Sequence, residues 1–329
     1  MPPLIRMPDL GIKPLVGTSS AWGRTPRSLN RDAHMQRLTD RHWARASEPF
    51  DALQRAALVH HVLDRPESEL RVTGLTALQL YGLPLGLPDA DLDHVLGHAP
   101  PARAGEYRTM MATLHFSWLG IRRKCPDKTV LLTKSYGLGR FPGPWGSMLA
   151  DPVEALVVAA PYLARWRITS CLDALMTRTI RSPGGKSFPL YSRELLTRRI
   201  GKLPPTSRTV RRVRAALDDV VEGAWSPTES LTRLIVVAHG FPPPVLNFHV
   251  VVDGADRYLD LTWPEPKIAV EYNGADHLDR RQYGDEMFRR HRLEDNGWRV
   301  RYIVWEDLID PGRRHLLLEW LSQQLGQRG

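Results

Sequence analysis

The stretch that decides the fold of this chain runs from Tyr258 to Trp305 and reads YLDLTWPEPKIAVEYNGADHLDRRQYGDEMFRRHRLEDNGWRVRYIVW. Apolar and polar residues alternate over residues 258–263 and again over residues 268–273, which predicts two strands with one apolar and one polar face each. A loop that ends in His277 follows the second strand. A charged helix comes next, and a Gly-Trp dipeptide after it marks the start of a third strand. The order predicted for this stretch is therefore strand, strand, helix, strand.

The polar faces of the two strands carry acidic residues. If residues 264–267 form a four-residue hairpin loop, Asp260 lies opposite Glu271 and Tyr258 lies opposite Asn273. Two facing carboxylates on one sheet face repel each other and are normally avoided. A divalent cation between them removes the repulsion, because hard oxygen ligands on a rigid sheet suit Mg²⁺. The pattern predicts a metal site at Asp260 and Glu271.

A linked series of motif residues extends from this site to the third strand. Its members are Asp260, Glu271-Tyr272-Asn273-Gly274, His277, Asp285, Arg289, Leu293 and Gly297-Trp298-Arg299-Val300. The series resembles the very-short-patch-repair-like endonuclease domains of the PD-(D/E)XK superfamily, which occur at the C-termini of many actinobacterial proteins. The resemblance covers about a third of the chain, from about Ser226 to the end. It implies an α/β fold with a restriction-endonuclease-like α-β-β-β-α-β core and Mg²⁺- or Mn²⁺-dependent cleavage of DNA.

The catalytic residues expected from the resemblance depart from the usual motif at one position. The usual motif has Lys two residues after the Glu, and this chain has Asn273 there. In the resembled repair nucleases a His after the Gly turn takes a catalytic role, and His277 occupies that place. We therefore expect Asp260 and Glu271 to hold the metal, Asn273 to lie on the same face, and His277 to transfer the proton. The missing Lys leaves open an alternative, a decayed nuclease that still binds DNA as a regulator or antitoxin.

Glu229 is a further catalytic candidate with two readings. Ser226-Pro227-Thr228-Glu229 forms a helix capping box, which alone explains the Glu. In related nucleases a Glu on this first helix often points at the active site. The apolar stripe of the helix, however, lies on the side opposite Glu229.

The composition favours a nucleic-acid partner. The net charge is +9 with an isoelectric point near 9.8, and only seven of the 45 cations are Lys. Arg matches phosphate geometry well, although a merely Arg-rich surface has the same composition. The predicted DNA contacts are Arg208, Arg211 and Arg212 on one helix and Arg281, Arg289 and Arg292 within an arc of about 80° on another. Asp285 falls inside the second arc, which predicts an intrahelical pair with Arg289.

The rest of the chain predicts the domain organisation. We expect a flexible basic arm over residues 1–49 with one helix from Asp32 to Ala46, an α/β domain over residues 50–180, a basic helical connector over residues 181–225 and the nuclease-like domain over residues 226–329. The segment Val72 to Leu85 resembles the signature of abortive-infection antitoxin (AbiEi-like) domains, and residues 93–96 are strand-like. This order implies a toxin-antitoxin, phage-defence or DNA-repair role, with a protein partner in the first two.

Cysteine content and hydropathy bear on the compartment. The two Cys form no CxxC pair, and no apolar run is long enough to span a membrane. The chain also lacks the start of a secretion signal. We therefore expect a cytoplasmic protein without membrane contact.

Overall fold

The computed structural model describes residues 4–85, 92–120, 130–182, 184–188, 190–274 and 280–326, without the side chains of residues 280–286. Helix makes up 40% and strand 21% of the structure, which confirms the predicted α/β class. Within these ranges no helix combines the length and the apolar character that a membrane crossing requires.

The first elements of the chain are β1 (Ile5–Arg6), β2 (Val16–Thr18), α1 (Pro26–Arg31), β3 (Met35–Thr39) and β4 (His42–Arg45). Strands β2, β4 and β3 form an antiparallel sheet in that order.

The helix predicted from Asp32 to Ala46 is therefore wrong, and the expected arm is folded. The reason lies in packing: Trp43 on β4 is fully buried against Leu29 of α1, and its indole N–H donates to Asn30 at 2.8 Å. The helix and strand propensities of single residues do not reveal such a packing contact.

The second group of elements builds a larger sheet and its helices. These elements are α2 (Ala52–Leu63), β5 (Arg71–Val72), α3 (Gly74–Tyr81), α4 (Tyr107–Met111), β6 (Leu114–Trp118), β7 (Val130–Lys134), β8 (Arg140–Pro142), β9 (Met148–Ala150), α5 (Pro152–Ala159), α6 (Arg165–Thr177), β10 (Ile180–Arg181), α7 (Arg193–Gly201) and α8 (Arg208–Asp218). The five-stranded sheet has the order β7-β6-β5-β9-β8. Strand β1 pairs in parallel with β10, Ile5 opposite Ile180.

Two helix ends in this unit have clear local causes, and the strand predicted over residues 93–96 is wrong. Helix α3 ends at Gly82, whose φ of 71° and close approach to the Arg6 carbonyl leave no room for a side chain. Asp151 caps α5 by accepting the Val153 N–H at 2.9 Å. Residues 93–96 form a turn instead of a strand, because the buried Asp93 carboxylate accepts the Arg165 N–H at 2.8 Å.

The predicted connector packs into the N-terminal core. Val210 and Val213 of α8 are fully buried there, and α8 contacts both α5 and α6. The basic segment is thus part of the first folded unit.

The C-terminal unit has the predicted order of elements. It consists of α9 (Pro227–Ala238), β11 (Val245–Val252), β12 (Ala255–Trp263), β13 (Ile268–Tyr272), α10 (Arg280–Asp295), β14 (Arg299–Ile303), α11 (Trp305–Ile309) and α12 (Pro311–Leu325). The sheet order is β11-β12-β13-β14, antiparallel except for the parallel β13–β14 pair. Residues 264–267 form the predicted hairpin loop, and Leu261 pairs with Val270 as that loop requires.

The two units meet at α6 and α9. Trp166 of α6 is buried in the C-terminal core. Asp173, also on α6, accepts the Ser230 hydroxyl at 2.7 Å and pairs with Arg233 at 3.6 Å. Burial, opposed by the Arg233 charge, raises the pKa of Asp173 to about 6. These contacts fix α9, which carries Glu229, against the rest of the molecule.

Candidate active site

A row of polar side chains crosses the C-terminal sheet. The pairs Leu246–Leu261 and Phe248–Leu259 on either side place Asn247 opposite Asp260. The register of the next hairpin places Asp260 opposite Glu271, as predicted, and Glu271 pairs with Tyr302 on β14. All four side chains line one cleft of about 280 Å³, which Glu229 of α9 also lines.

The strands β12 and β13 separate at the two carboxylates. The Asp260 N–H donates to Glu271 Oε1 at 2.9 Å, and the Tyr272 N–H donates to Asp260 Oδ2 at 2.8 Å. Side-chain oxygens thus accept N–H groups that a regular ladder would pair with carbonyls. Charge-assisted bonds of this kind offset part of the repulsion between the facing carboxylates.

Arg289 of α10 supplies further compensation. Its Nη2 lies 3.0 Å from Glu271 Oε2 and also donates to the Tyr258 carbonyl at 3.3 Å. The Glu271 side chain is only 6% exposed, so this ion pair is shielded on the carboxylate side. The sequence predicted Arg289 as a DNA contact, and the structure brings it to the centre of the site.

Glu229 lies inside the cleft, where its reading as a catalytic candidate puts it. The prediction put it opposite the apolar stripe of α9, but residues 229–236 are all buried because α9 packs on β12 and on α6. Its Oε2 accepts the Trp225 N–H at 2.7 Å and the Asn247 Nδ2–H at 2.6 Å. Burial, followed by the charge of Asp260, raises the pKa of Glu229 to about 7. A carboxyl group with this pKa can accept or donate a proton near neutrality.

Asn247 is a site residue that the sequence analysis missed. It has a left-handed backbone, with φ of 48°, in the middle of strand β11. Its Nδ2 donates to both Glu229 and the Gly223 carbonyl, the latter at 2.7 Å. Asn is the non-glycine residue that best tolerates this conformation, and such backbones cluster at functional sites. An Asn inside the run VLNFHVVV, where strands normally exclude it, was the available signal.

Aromatic rings form one rim of the cleft. The rings of Trp225 and Tyr258 lie 5.0 Å apart, and Tyr258 lies 5.2 Å from His249. Tyr258 is 38% exposed, so part of this side chain is accessible to a ligand.

Of the remaining predicted site residues, one lines the cleft, one forms ion pairs elsewhere, and the others lie wholly or with their side chains outside the described residues. Asn273 lines the cleft as expected, and its N–H extends the pairing to β14 by donating to Ile303. Arg292 forms ion pairs with Asp253 at 2.5 Å and Asp295 at 3.6 Å. His277 and the side chains of Arg281 and Asp285 lie outside the described residues, and their roles stay predictions.

The three arginines of α8 that were predicted to contact DNA do not share one environment. Arg208 and Arg211 are exposed, as a phosphate-binding surface requires. Arg212 does not belong to that surface: it pairs with the fully buried Asp93 at 2.5 Å and donates to the Leu163 and Ala99 carbonyls. The prediction for Arg212 is therefore wrong, because a buried carboxylate needs its charge.

The carboxylate pair can be compared with what Mg²⁺ requires. Within the described ranges, no group of three or more His, Cys, Asp or Glu side chains is arranged to hold a metal ion. Mg²⁺ commonly binds through one or two carboxylates and completes its shell with water and substrate phosphate. Carboxylate oxygens have two lone pairs, so the N–H bonds to Asp260 and Glu271 are compatible with metal binding. The donor set fits Mg²⁺ or Mn²⁺.

Comparison with known proteins gives two relatives and no family. No family model and no solved structure matches the chain. Uncharacterized protein Rv2248 and Uncharacterized protein MT2308, from two strains of Mycobacterium tuberculosis, are each 31% identical to it over 93 residues, which is 27% of this chain. The chain spans about a third, 34%, of the length of these curated relatives.

Proposed function

We propose that the C-terminal unit is a metal-dependent DNA endonuclease. The supporting observation is the convergence of Glu229, Asp260 and Glu271, from one helix and two strands, on a single cleft. The net charge of +9 and the exposed Arg208 and Arg211 suit a polyanionic substrate. The partly exposed Tyr258 beside the cleft suits contact with a nucleobase.

Asp260 and Glu271 would hold Mg²⁺ or Mn²⁺. When bound, such an ion polarises the scissile phosphate and supplies a water of lowered pKa. The Asp260 carboxylate accepts a hydrogen bond from the Tyr272 N–H, so its position is fixed before the substrate binds. Arg289, already beside Glu271, would move toward a phosphate oxygen as the cation takes over the carboxylate charge.

Proton transfer has two candidate groups. Glu229, with a pKa near 7 and a fixed oxygen between Asn247 and the Trp225 N–H, can accept a proton from an attacking water. His277 fills the same need in the resembled nucleases. Under this proposal one of them acts as the base, and the other can protonate the leaving oxygen.

A plasmid assay tests the proposal. Purified protein is incubated with supercoiled plasmid with and without Mg²⁺ or Mn²⁺, beside Asp260→Ala and a matched control, Asp256→Ala, which removes an exposed carboxylate from the same strand. We expect metal-dependent nicked or linear product from wild type and the control but not from Asp260→Ala. Identical products from all three, or none from any of them with either metal, would contradict the endonuclease proposal.

The ion pair between Arg289 and Glu271 favours a second candidate function. On this alternative the guanidinium has permanently replaced the metal, and the unit binds DNA without cutting it, as a regulator or antitoxin. DNA binding that is retained in a chelator, with no cleavage in any metal, would support it. Either function is compatible with a defence, toxin-antitoxin or repair role and with a protein partner.

A further inference from the structure

The N-terminal unit contains a cavity of about 380 Å³ that shares no lining residue with the carboxylate cleft. Its floor is the face of the five-stranded sheet at the edge strand β7. The paired registers of β6 and β7 place Phe116 beside Leu132, with Trp118 and Val130 on the same face. Helix α2 contacts β5 and β6 and closes one side of the cavity with its last residues.

The floor remains partly accessible. Val130 and Leu132 are half-buried, although both are apolar and lie on the inner face of the sheet. A volume of this size lies in the range of small-molecule binding sites, and an apolar lining is their usual composition.

Two arginines and a histidine stand at the rim of the cavity. Arg41 lies in the turn before β4, His42 begins that strand, and Arg65 follows α2; both arginines are exposed. The His42 ring is oriented by a 2.9 Å hydrogen bond with the Thr39 hydroxyl. Burial lowers the pKa of His42, and the charges of Arg65 and Arg41 lower it further. All three residues line the same cavity.

One acidic residue also lines the rim. Asp40 lies beside Arg41 but pairs with Arg37 at 2.5 Å, so its charge is compensated within the hairpin. The rim therefore presents an excess of positive charge above an apolar floor.

We propose that this cavity binds an amphipathic carboxylate, with its apolar body against Phe116 and Leu132 and its carboxylate between Arg41 and Arg65. Guanidinium groups are the usual partners of carboxylates, and a planar fork recognises both oxygens. The proposal does not depend on the nuclease proposal, because the two sites have no residue in common.

Displacement of a fluorescent probe tests the proposal on the full chain. The apolar anion anilinonaphthalene sulfonate reports occupancy, decanoate is the competitor, and 1-decanol is its uncharged match. The variants are Arg41→Ala/Arg65→Ala and the control Arg45→Ala, an exposed arginine at the far end of β4. Because the arginines are exposed, their variants are expected to fold, and an unchanged melting temperature verifies this. A second variant, Val130→Trp, fills the cavity without changing its charge.

We expect decanoate to displace the probe and decanol to do so more weakly. Each of the two arginine contacts should contribute about as much as an exposed ion pair, so the double variant should lose about twofold to thirtyfold in decanoate affinity. The control variant should bind decanoate as tightly as wild type does. Val130→Trp should bind neither decanoate nor decanol. Equal competition by decanoate and decanol, equal affinity in the double variant and wild type, or no displacement by decanoate would each overturn the proposal.

Discussion

Replacing Glu229 by Gln should change how stability depends on pH. The unfolded chain gives up the Glu229 proton near pH 4.5, whereas the native state keeps it until about pH 7. The native state thus binds more protons in this window, and wild-type stability falls as pH rises from 4.5 to 7. At about 1.4 kcal/mol per pH unit the loss amounts to about 3 kcal/mol. Gln carries no charge and can still accept both hydrogen bonds, so Glu229→Gln should lack this slope.

Urea denaturation followed by tryptophan fluorescence measures the effect. The free energy of unfolding is compared between wild type and Glu229→Gln from pH 4.5 to 8, with Glu222→Gln as a control for the loss of an exposed carboxylate. The Glu229 variant should gain stability over wild type progressively toward pH 8. Parallel pH curves for all three proteins would refute the assignment of a buried, protonated Glu229, and so would a variant less stable than wild type at pH 8.

Three further outcomes follow from the site and the basic helix. The double variant Arg208→Ala/Arg211→Ala should flatten the slope of log DNA affinity against log salt by up to about 2 units, and an unchanged slope would assign the two residues to a solvated surface. Arg212→Ala should instead lower the melting temperature with little effect on that slope, since it removes the guanidinium that pairs with the buried Asp93 carboxylate. His277→Ala should retain DNA binding and lose about 10²- to 10⁴-fold in cleavage rate, and a wild-type rate would exclude a catalytic His277.

The strands β12 and β13 followed from local patterns. The alternation that predicted β12 and β13, and the four-residue loop between them, also determine the register that brings Asp260 opposite Glu271. A period of two and a turn of fixed length suffice for such a register, because a slip by one residue would turn every apolar side chain outward.

What the sequence did not predict depends on contacts between distant residues. Arg212 pairs with Asp93, which lies 119 positions away in the sequence, and Trp43 of the β3–β4 hairpin packs against Leu29. Neither contact produces a periodic pattern in the sequence. Residues 229–236 are buried because α9 packs on β12 and on α6, which no pattern within α9 shows. The conformation of Asn247 is a property of its backbone, and the sequence indicated it only by an Asn within a strand.

The parallel pair of β1 and β10 has a consequence for biosynthesis. Ile5 leaves the ribosome before its partner Ile180, which follows 175 positions later. At about 5 to 20 residues per second the first strand waits roughly 10 to 35 s before it can pair. During this time Ile5, Met7 and Leu10, all buried in the finished protein, have no native surface to cover them completely. The nascent chain should therefore be a chaperone client until α6 and β10 have emerged, and the N-terminal unit should close in a late, long-range step.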